Sequence, residues 1–353
     1  MKLATLKDGS RDGRLLLVNR DLTRMIEADA ARTMQQLIEC WDDLAPELER
    51  QNVEMNESGW VQAEAFDPVR LMAPLPRAYQ FVDASSFLNH GKIMEQAYKL
   101  SVKKTPGIPI LVQRQSDDFT NAVDDYAFPS EDDQCDFEGE IAVILDDVSA
   151  GVALENAESH IKLFTLINDV SMRGHLFREL QMGFGLINAK PATTFAPVAC
   201  TVDELGSSFA NGRVNLDMCV HRNNQWFGNP NGREMDFSFA ELIRHWAYNR
   251  NLRAGTVLGT GTFSNANCRE VGSACLAEQR AVEVIDKGES STDFIKYGES
   301  LQFEMFAIDG SSLFGKIDQT FVQGNGTGAV STPVAVSDQE NSYEEISHKE
   351  NHA

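Results

Sequence analysis

The chain has 353 residues, 42% of them hydrophobic, with 53 acidic against 31 basic side chains and a formal net charge of −22. That length supports a large buried core, and the charge balance argues against a nucleic-acid binder or a protein seated on anionic membranes. Any site for an acidic ligand must then be a local basic pocket in an acidic surface.

No stretch approaches the roughly 20 consecutive apolar residues of a membrane span, and Met1 to Arg14 lacks the apolar region of a secretory signal. Cys40, Cys135, Cys200, Cys219, Cys268 and Cys275 are scattered without CxxC pairs. That spacing suits free thiols in a reducing compartment, so the expected location is cytoplasmic.

Residues 1–76 read as a small leading domain and connector. Arg14 to Val18 is a short apolar run of strand character. Between Ala28 and Leu48 the apolar residues Met34, Leu37, Ile38, Trp41 and Leu44 recur at helical spacing. The proline-rich stretch Asp67 to Pro76 reads as an extended connector. Residues 77–321 alternate short apolar segments with Gly, Asn and Asp turns. Strands are predicted at Glu140–Leu145, Ala281–Ile285 and Leu301–Ile308, and helices at Asn89–Lys99, Asn156–Leu166 and Phe239–Asn249. This is an α+β, strand-dominated pattern without the regular rhythm of a doubly wound sheet. Residues 322–353 are rich in Gly, Ser, Thr and Glu and read as a disordered acidic tail.

Five segments carry candidate chemistry. In Asp136-Phe137-Glu138-Gly139-Glu140-Ile141-Ala142, side chains two apart on a strand share a face, so Glu138 and Glu140 repel unless a positive charge lies between them. A solvated acidic strand face explains the same pattern. Asn168-Asp169-Val170-Ser171-Met172-Arg173 fits a cap with its ion-pair partner, or a third carboxylate for an oxygen-ligated cation such as Mg²⁺, Ca²⁺ or Mn²⁺. Asp83 closes an apolar segment, and His90 follows in the first turn of an expected helix. Lys190 lies in the loop Ala189-Lys190-Pro191-Ala192-Thr193-Thr194. Gly255-Thr256-Val257-Leu258-Gly259-Thr260-Gly261-Thr262 is glycine-rich but lacks the Gly-Lys-Ser/Thr ending of a phosphate loop.

Taken in order, these motifs resemble the fumarylacetoacetate hydrolase family from about Asp83 to Gln319. The resemblance implies a mixed β-sandwich roll over residues 77–321, assembled as a homodimer, and a divalent cation on Asp83, Glu138, Glu140 and Asp169. It implies His90 as the base that activates water, with Glu278 orienting the imidazole, and Lys190 stabilising an enolate, with Thr194 beside the metal. Lys99, Arg173 and Thr262 fall where contacts to substrate are expected.

The reaction so implied is hydrolysis of a C–C bond in a small acidic diketone such as fumarylacetoacetate or a related acylpyruvate. Two alternatives stand beside it. One is a 2-oxo acid decarboxylase, hydratase or tautomerase on the same metal platform; the other is a non-catalytic metal-binding protein. The chain departs from the fumarylacetoacetase pattern in the substrate pocket, where Ser85, Val112 to Gln115, Leu176 and Leu180 stand in place of tyrosines and a glutamine.

Overall fold

The computed structural model describes residues 1–58, 62–99 and 105–324. Two β-sheets form the body. The larger has 11 strands, and its central run is Ile161–Asn168, Gly139–Leu145, Thr256–Gly259 and Phe81–Ala84. The smaller, 5-stranded sheet contains Met218–Arg222, Ser300–Met305 and Ile317–Gln323. The architecture is the strand-dominated α+β roll expected from the sequence. The leading strands Lys2–Leu6, Arg14–Val18 and Arg24–Glu27 extend the large sheet, because Lys2 and Leu3 pair with Cys200 and Ala199.

The strand Gly139–Leu145 is buried along its whole length and divides the interior by parity. Ile141, Val143 and Leu145 join the core that faces the small sheet, with Phe303, Met305 and Phe321. Ala142 and Ile144 face the opposite way, into a second core with Phe81, Ile167, Phe195 and the N-terminal Leu15, Leu17 and Leu37. Strand alternation puts Glu140 on the face of Ala142, and Asp83 on the face of Phe81. The acidic residues thus share the side of the sheet that carries the second core, at the end where that core stops.

Several segments depart from the sequence expectation. Asn156–Leu166 is not a helix: a short helix at Leu154–Ala157 gives way to the strand Ile161–Asn168. Buried between two neighbours, that strand is apolar on both faces, and such a run has no period to separate it from a helix. Ala281–Ile285 is the reverse case and lies inside the helix Leu276–Lys287, capped by Cys275 and closed by Gly288 in the left-handed conformation. Its β-branched residues suit a strand, but Ile285 falls four residues after Ala281 and three after Val282, and all three meet Ile93 in one small core. The early helix starts at Met34, breaks at Cys40 and resumes as Trp41–Ser58. The last strand runs on to Gln323 and takes in the first two residues of the expected tail; residues 325–353 of that tail lie outside the described residues. Among the described residues, no helix is long and apolar enough to cross a membrane.

Phe195 joins the second core to the strands that carry the acidic residues. Its ring centroid lies 4.5 Å from that of Phe119 and 6.4 Å from that of Phe81. Phe195→Ala should therefore cost about 3–5 kcal/mol, as full truncation of a buried aromatic does. A urea titration reads this directly, and a loss below about 1 kcal/mol would contradict the packing described.

Candidate active site

Three strands bring the carboxylates together. Gly259, on Thr256–Gly259, stands directly between Asp83 on one neighbouring strand and Ala142 on the other. Glu140 is one pleat away, opposite Ile167, and Asp169 follows the end of that partner strand. One carboxylate oxygen from each of Asp83, Glu140 and Asp169 lies within 4.8 Å of the others, and all three residues are buried. Gly259 is what allows this approach. A Cβ there would sit 2.5 Å from Asp83 Oδ1 and 3.0 Å from Glu140 Oε2. The Gly261 N–H donates to both of those oxygens, at 2.9 Å and 3.0 Å. Its φ of +80° suits glycine, and a Cβ would strike the Ala84 carbonyl.

Glu138 occupies a different position from the other three. Its Oε2 accepts from Lys190 Nζ at 2.8 Å, and its Oε1 is paired with Arg173. Lys190 Nζ also donates to Asp169 Oδ2 at 2.8 Å, so the lysine bridges the two acids. Arg173 reaches Asp136 as well, and Asp136 accepts from the backbone N–H groups of Leu276 and Ala277 at the start of the helix Leu276–Lys287. The Arg173 guanidinium is thereby committed to protein carboxylates. Lys99 is not brought to the cluster by this arrangement. It caps the far end of the helix Leu88–Tyr98, exposed, roughly 13 Å along the axis from His90.

His90 and Glu278 meet across 188 residues, with Nδ1 3.0 Å from Oε2. Ser273 Oγ donates to the other Glu278 oxygen at 3.1 Å. An ionised carboxylate only accepts, so in the neutral imidazole this contact puts the hydrogen on Nδ1 and leaves the lone pair on Nε2. The Glu278 side chain is fully buried and that of His90 is 23% exposed. Thr262 is buried, and its Oγ1 has no hydrogen-bond partner among the described residues. Thr194 Oγ1 is turned to Thr120 and Gln319, and its neighbour Thr193 contacts Asp169 at 3.3 Å.

The resemblance put Arg114 only within the pocket stretch Val112 to Gln115 and Thr193 only within the Lys190 loop, without a role for either. Arg114 is buried and pairs with Asp169 through Nη2. Apart from that resemblance, one basic residue beyond a three-residue strand has no pattern to distinguish it from a surface arginine.

Glu138 is opposed by burial, yet Lys190 and Arg173 hold its carboxyl well below the usual range. Asp83 moves the other way: burial, then the Asp169 charge, push it up to about 6. Glu140 is pushed well above the ordinary value by burial and by the charges of Asp83 and Asp169. With Glu278 set apart as the partner of His90, the carboxylates of Asp83, Asp136, Glu138, Glu140 and Asp169 face the cations Arg114, Arg173 and Lys190. Two negative charges are left over, on Asp83 and Glu140, which have no cation in contact among the described residues. Glu140 Oε1 is buried without a hydrogen-bond partner among the described residues. An all-oxygen donor set with this excess charge fits a hard divalent cation.

A model of the fumarylacetoacetate hydrolase C-terminal domain matches residues 79–329, and a model of the fumarylacetoacetase N-terminal domain matches residues 1–77. The chain belongs to the fumarylacetoacetate hydrolase family. The oxaloacetate tautomerase YisK of Bacillus subtilis is 28% identical over 131 residues, which cover 37% of this chain and 42% of the relative. A 2,4-didehydro-3-deoxy-L-rhamnonate hydrolase of Sphingomonas sp. is 28% identical over 160 residues, covering 44% of this chain and 53% of the relative. The chain thus spans about half the length of the curated relatives it matches. The structure of maleylpyruvate hydrolase from Sphingobium sp. SYK-6, solved with manganese(II) and pyruvate, shares the fold. It has a TM-score of 0.61 at 17% identity and covers 92% of this chain and 100% of that one.

Two outcomes are expected. Gly259→Ala should lower Mn²⁺ affinity on the order of tenfold, the scale seen when support for a metal ligand is disturbed; unchanged affinity by calorimetry would contradict the crowding described. The raised Asp83 and Glu140 carboxyls also make cation uptake compete with protons. At pH 6, Mn²⁺ binding should release protons, read as a dependence of the heat on buffer ionisation enthalpy, and its absence would count against the assignment. The sign for folding follows from the same shift. Between the ordinary 3.8 and about 6 the folded chain holds a proton on Asp83 that the unfolded chain has lost, so cation-free stability falls as pH rises through that window.

Proposed function

We propose that this chain is a divalent-metal-dependent enzyme that hydrolyses a C–C bond in a small acidic 1,3-dioxo compound of the acylpyruvate type. The observation that carries this reading is the His90–Glu278 pair, 3.0 Å apart, with Glu278 on a helix whose cap Cys275 bridges Glu138. The names of the relatives, which include a hydrolase and a structure holding pyruvate, support the substrate class. In this reading Asp83, Glu140 and Asp169 hold the cation, with Glu138 behind them through Lys190. When bound, the cation supplies Lewis-acid polarisation of a substrate carbonyl.

The chain's own groups do the rest. His90 Nε2 takes a proton from water, and the resulting hydroxide adds to the acyl carbonyl carbon. Glu278 keeps Nδ1 protonated and stabilises the imidazolium that forms. The bond to the methylene carbon then breaks, its electron pair passing to that carbon as the pyruvate enolate, and a proton completes pyruvate. Lys190 Nζ, fixed between Glu138 and Asp169, places a positive charge beside the developing enolate. The idle Thr262 hydroxyl is a donor for a substrate oxygen.

A second reading is tautomerisation or decarboxylation of a 2-oxo acid. The name of the Bacillus relative and the buried Lys190 favour it, because moving a proton at the carbon next to the carbonyl needs no activated water.

The variants His90→Ala and Lys190→Met separate the two. For the hydrolase, His90→Ala should cut kcat by about 10²–10⁴-fold with Mn²⁺ affinity unchanged, the usual worth of a positioned general base. The acidic limb of the pH–rate profile should vanish with it and survive in Lys190→Met. Near-normal turnover of His90→Ala beside a dead Lys190→Met would replace the hydrolase with the tautomerase. A panel of oxo acids with Mn²⁺ or Mg²⁺, followed by diketone absorbance and CO₂ release, identifies the reaction.

A further inference from the structure

Deepening the reading above, on which it rests, we propose that Arg114 is the residue that selects the substrate's tail, by binding an anionic group in the cavity beside the carboxylate cluster. The Arg114 side chain is only 2% exposed. One nitrogen, Nη2, is taken by Asp169, while Nε and Nη1 have no hydrogen-bond partner among the described residues. A buried guanidinium that leaves two donors idle is unusual, since buried donors are nearly always paired.

Arg114 lines a cavity of about 430 Å³. Lys190 lies with it on the wall nearest the cluster, Gln115 and Ser116 continue that wall, and Phe184 and Ile187 come from the loop after the helix Arg173–Met182. Arg114 and Lys190 both touch Asp169, so the cavity adjoins the three acids. A 2-oxo acid with its oxo end at the acids has room to send its other end along this wall.

The chemistry of the wall decides what that end is. Arginine, lysine, glutamine and serine offer donors, and guanidinium is the side chain best matched to a carboxylate. In a chain of net charge −22, an anion needs such a local basic patch to offset long-range repulsion. Phe184 and Ile187 are 95% and 78% exposed and give an apolar tail little enclosure. The tail that fits is a second carboxylate.

Calorimetry on the full chain loaded with Mn²⁺ tests this, using pyruvate and 2-oxoglutarate as probes that share an oxo-acid end. The dicarboxylate should bind at least tenfold more tightly. Arg114→Lys, with its Mn²⁺ affinity measured alongside because the side chain also meets Asp169, should lose the preference for the dicarboxylate. Ser116→Asp, which leaves the Asp169 contact intact, should weaken 2-oxoglutarate selectively and on the order of tenfold, and it stands in if the arginine variant does not fold. Equal binding of the two probes to the wild type, or a preference that survives substitution, overturns the role of Arg114 alone. Failure of both probes to bind overturns the oxo-acid reading with it.

Discussion

Everything around the site depends on the mutual repulsion of Asp83, Glu140 and Asp169, three buried carboxylates with oxygens within 4.8 Å of one another. Burial removes the water that would screen them, so their charge must be met by protons, by protein cations or by a bound ion. Protein cations meet part of it. Lys190 and Arg114 are taken up by Asp169, and Lys190 and Arg173 by Glu138. Asp83 and Glu140 share a side-chain hydrogen bond and accept the Gly261 N–H, and among the described residues neither has a cation in contact. The upward shift of these two, against the downward shift of Glu138, marks where a divalent charge is called for.

The fold makes this arrangement possible by controlling approach. A strand between two acid-bearing strands would ordinarily keep their side chains apart, but Gly259 leaves that gap open. The same strand then delivers Gly261 and Thr262 to the site, one through its N–H and the other through a hydroxyl with no partner. Asp136 works from behind. It accepts from the first turn of the helix Leu276–Lys287 and from Arg173, which ties the position of Glu278 to the strand end bearing Glu138. The three acids and the His90–Glu278 pair are thereby held in register by one buried network.

Period-2 alternation made the shared face of Glu138 and Glu140 legible in the sequence. The gathering of Asp83, Asp169, His90, Lys190 and Glu278 around them was legible only through the family resemblance of the motifs in order. Glu138 and Glu140 announced a shared face, and Asp83 an apolar segment closing on an acid. What the sequence hid follows from burial on both sides. Ile161–Asn168 is buried along almost its whole length, so no period separates it from a helix. In Ala281–Ile285 the β-branched residues obscured a helix whose signals lie outside it, at Cys275 and Gly288. The pairing of Arg114 with Asp169 was hidden for another reason: the two are 55 residues apart, and only the fold brings them together. Thr193 and Thr194 differ by one position, and only the backbone decides which hydroxyl faces Asp169.

The central claim is that the excess charge on Asp83 and Glu140 is there to hold one divalent cation. Crystals grown with Mn²⁺ and measured at the manganese absorption edge test it most directly. The account predicts a single anomalous peak per chain, bonded to oxygens of Asp83, Glu140 and Asp169 at about 2.0–2.3 Å, the range expected for a small hard cation. A cation held elsewhere, or a cluster that stays protonated at neutral pH in millimolar Mn²⁺, would contradict it.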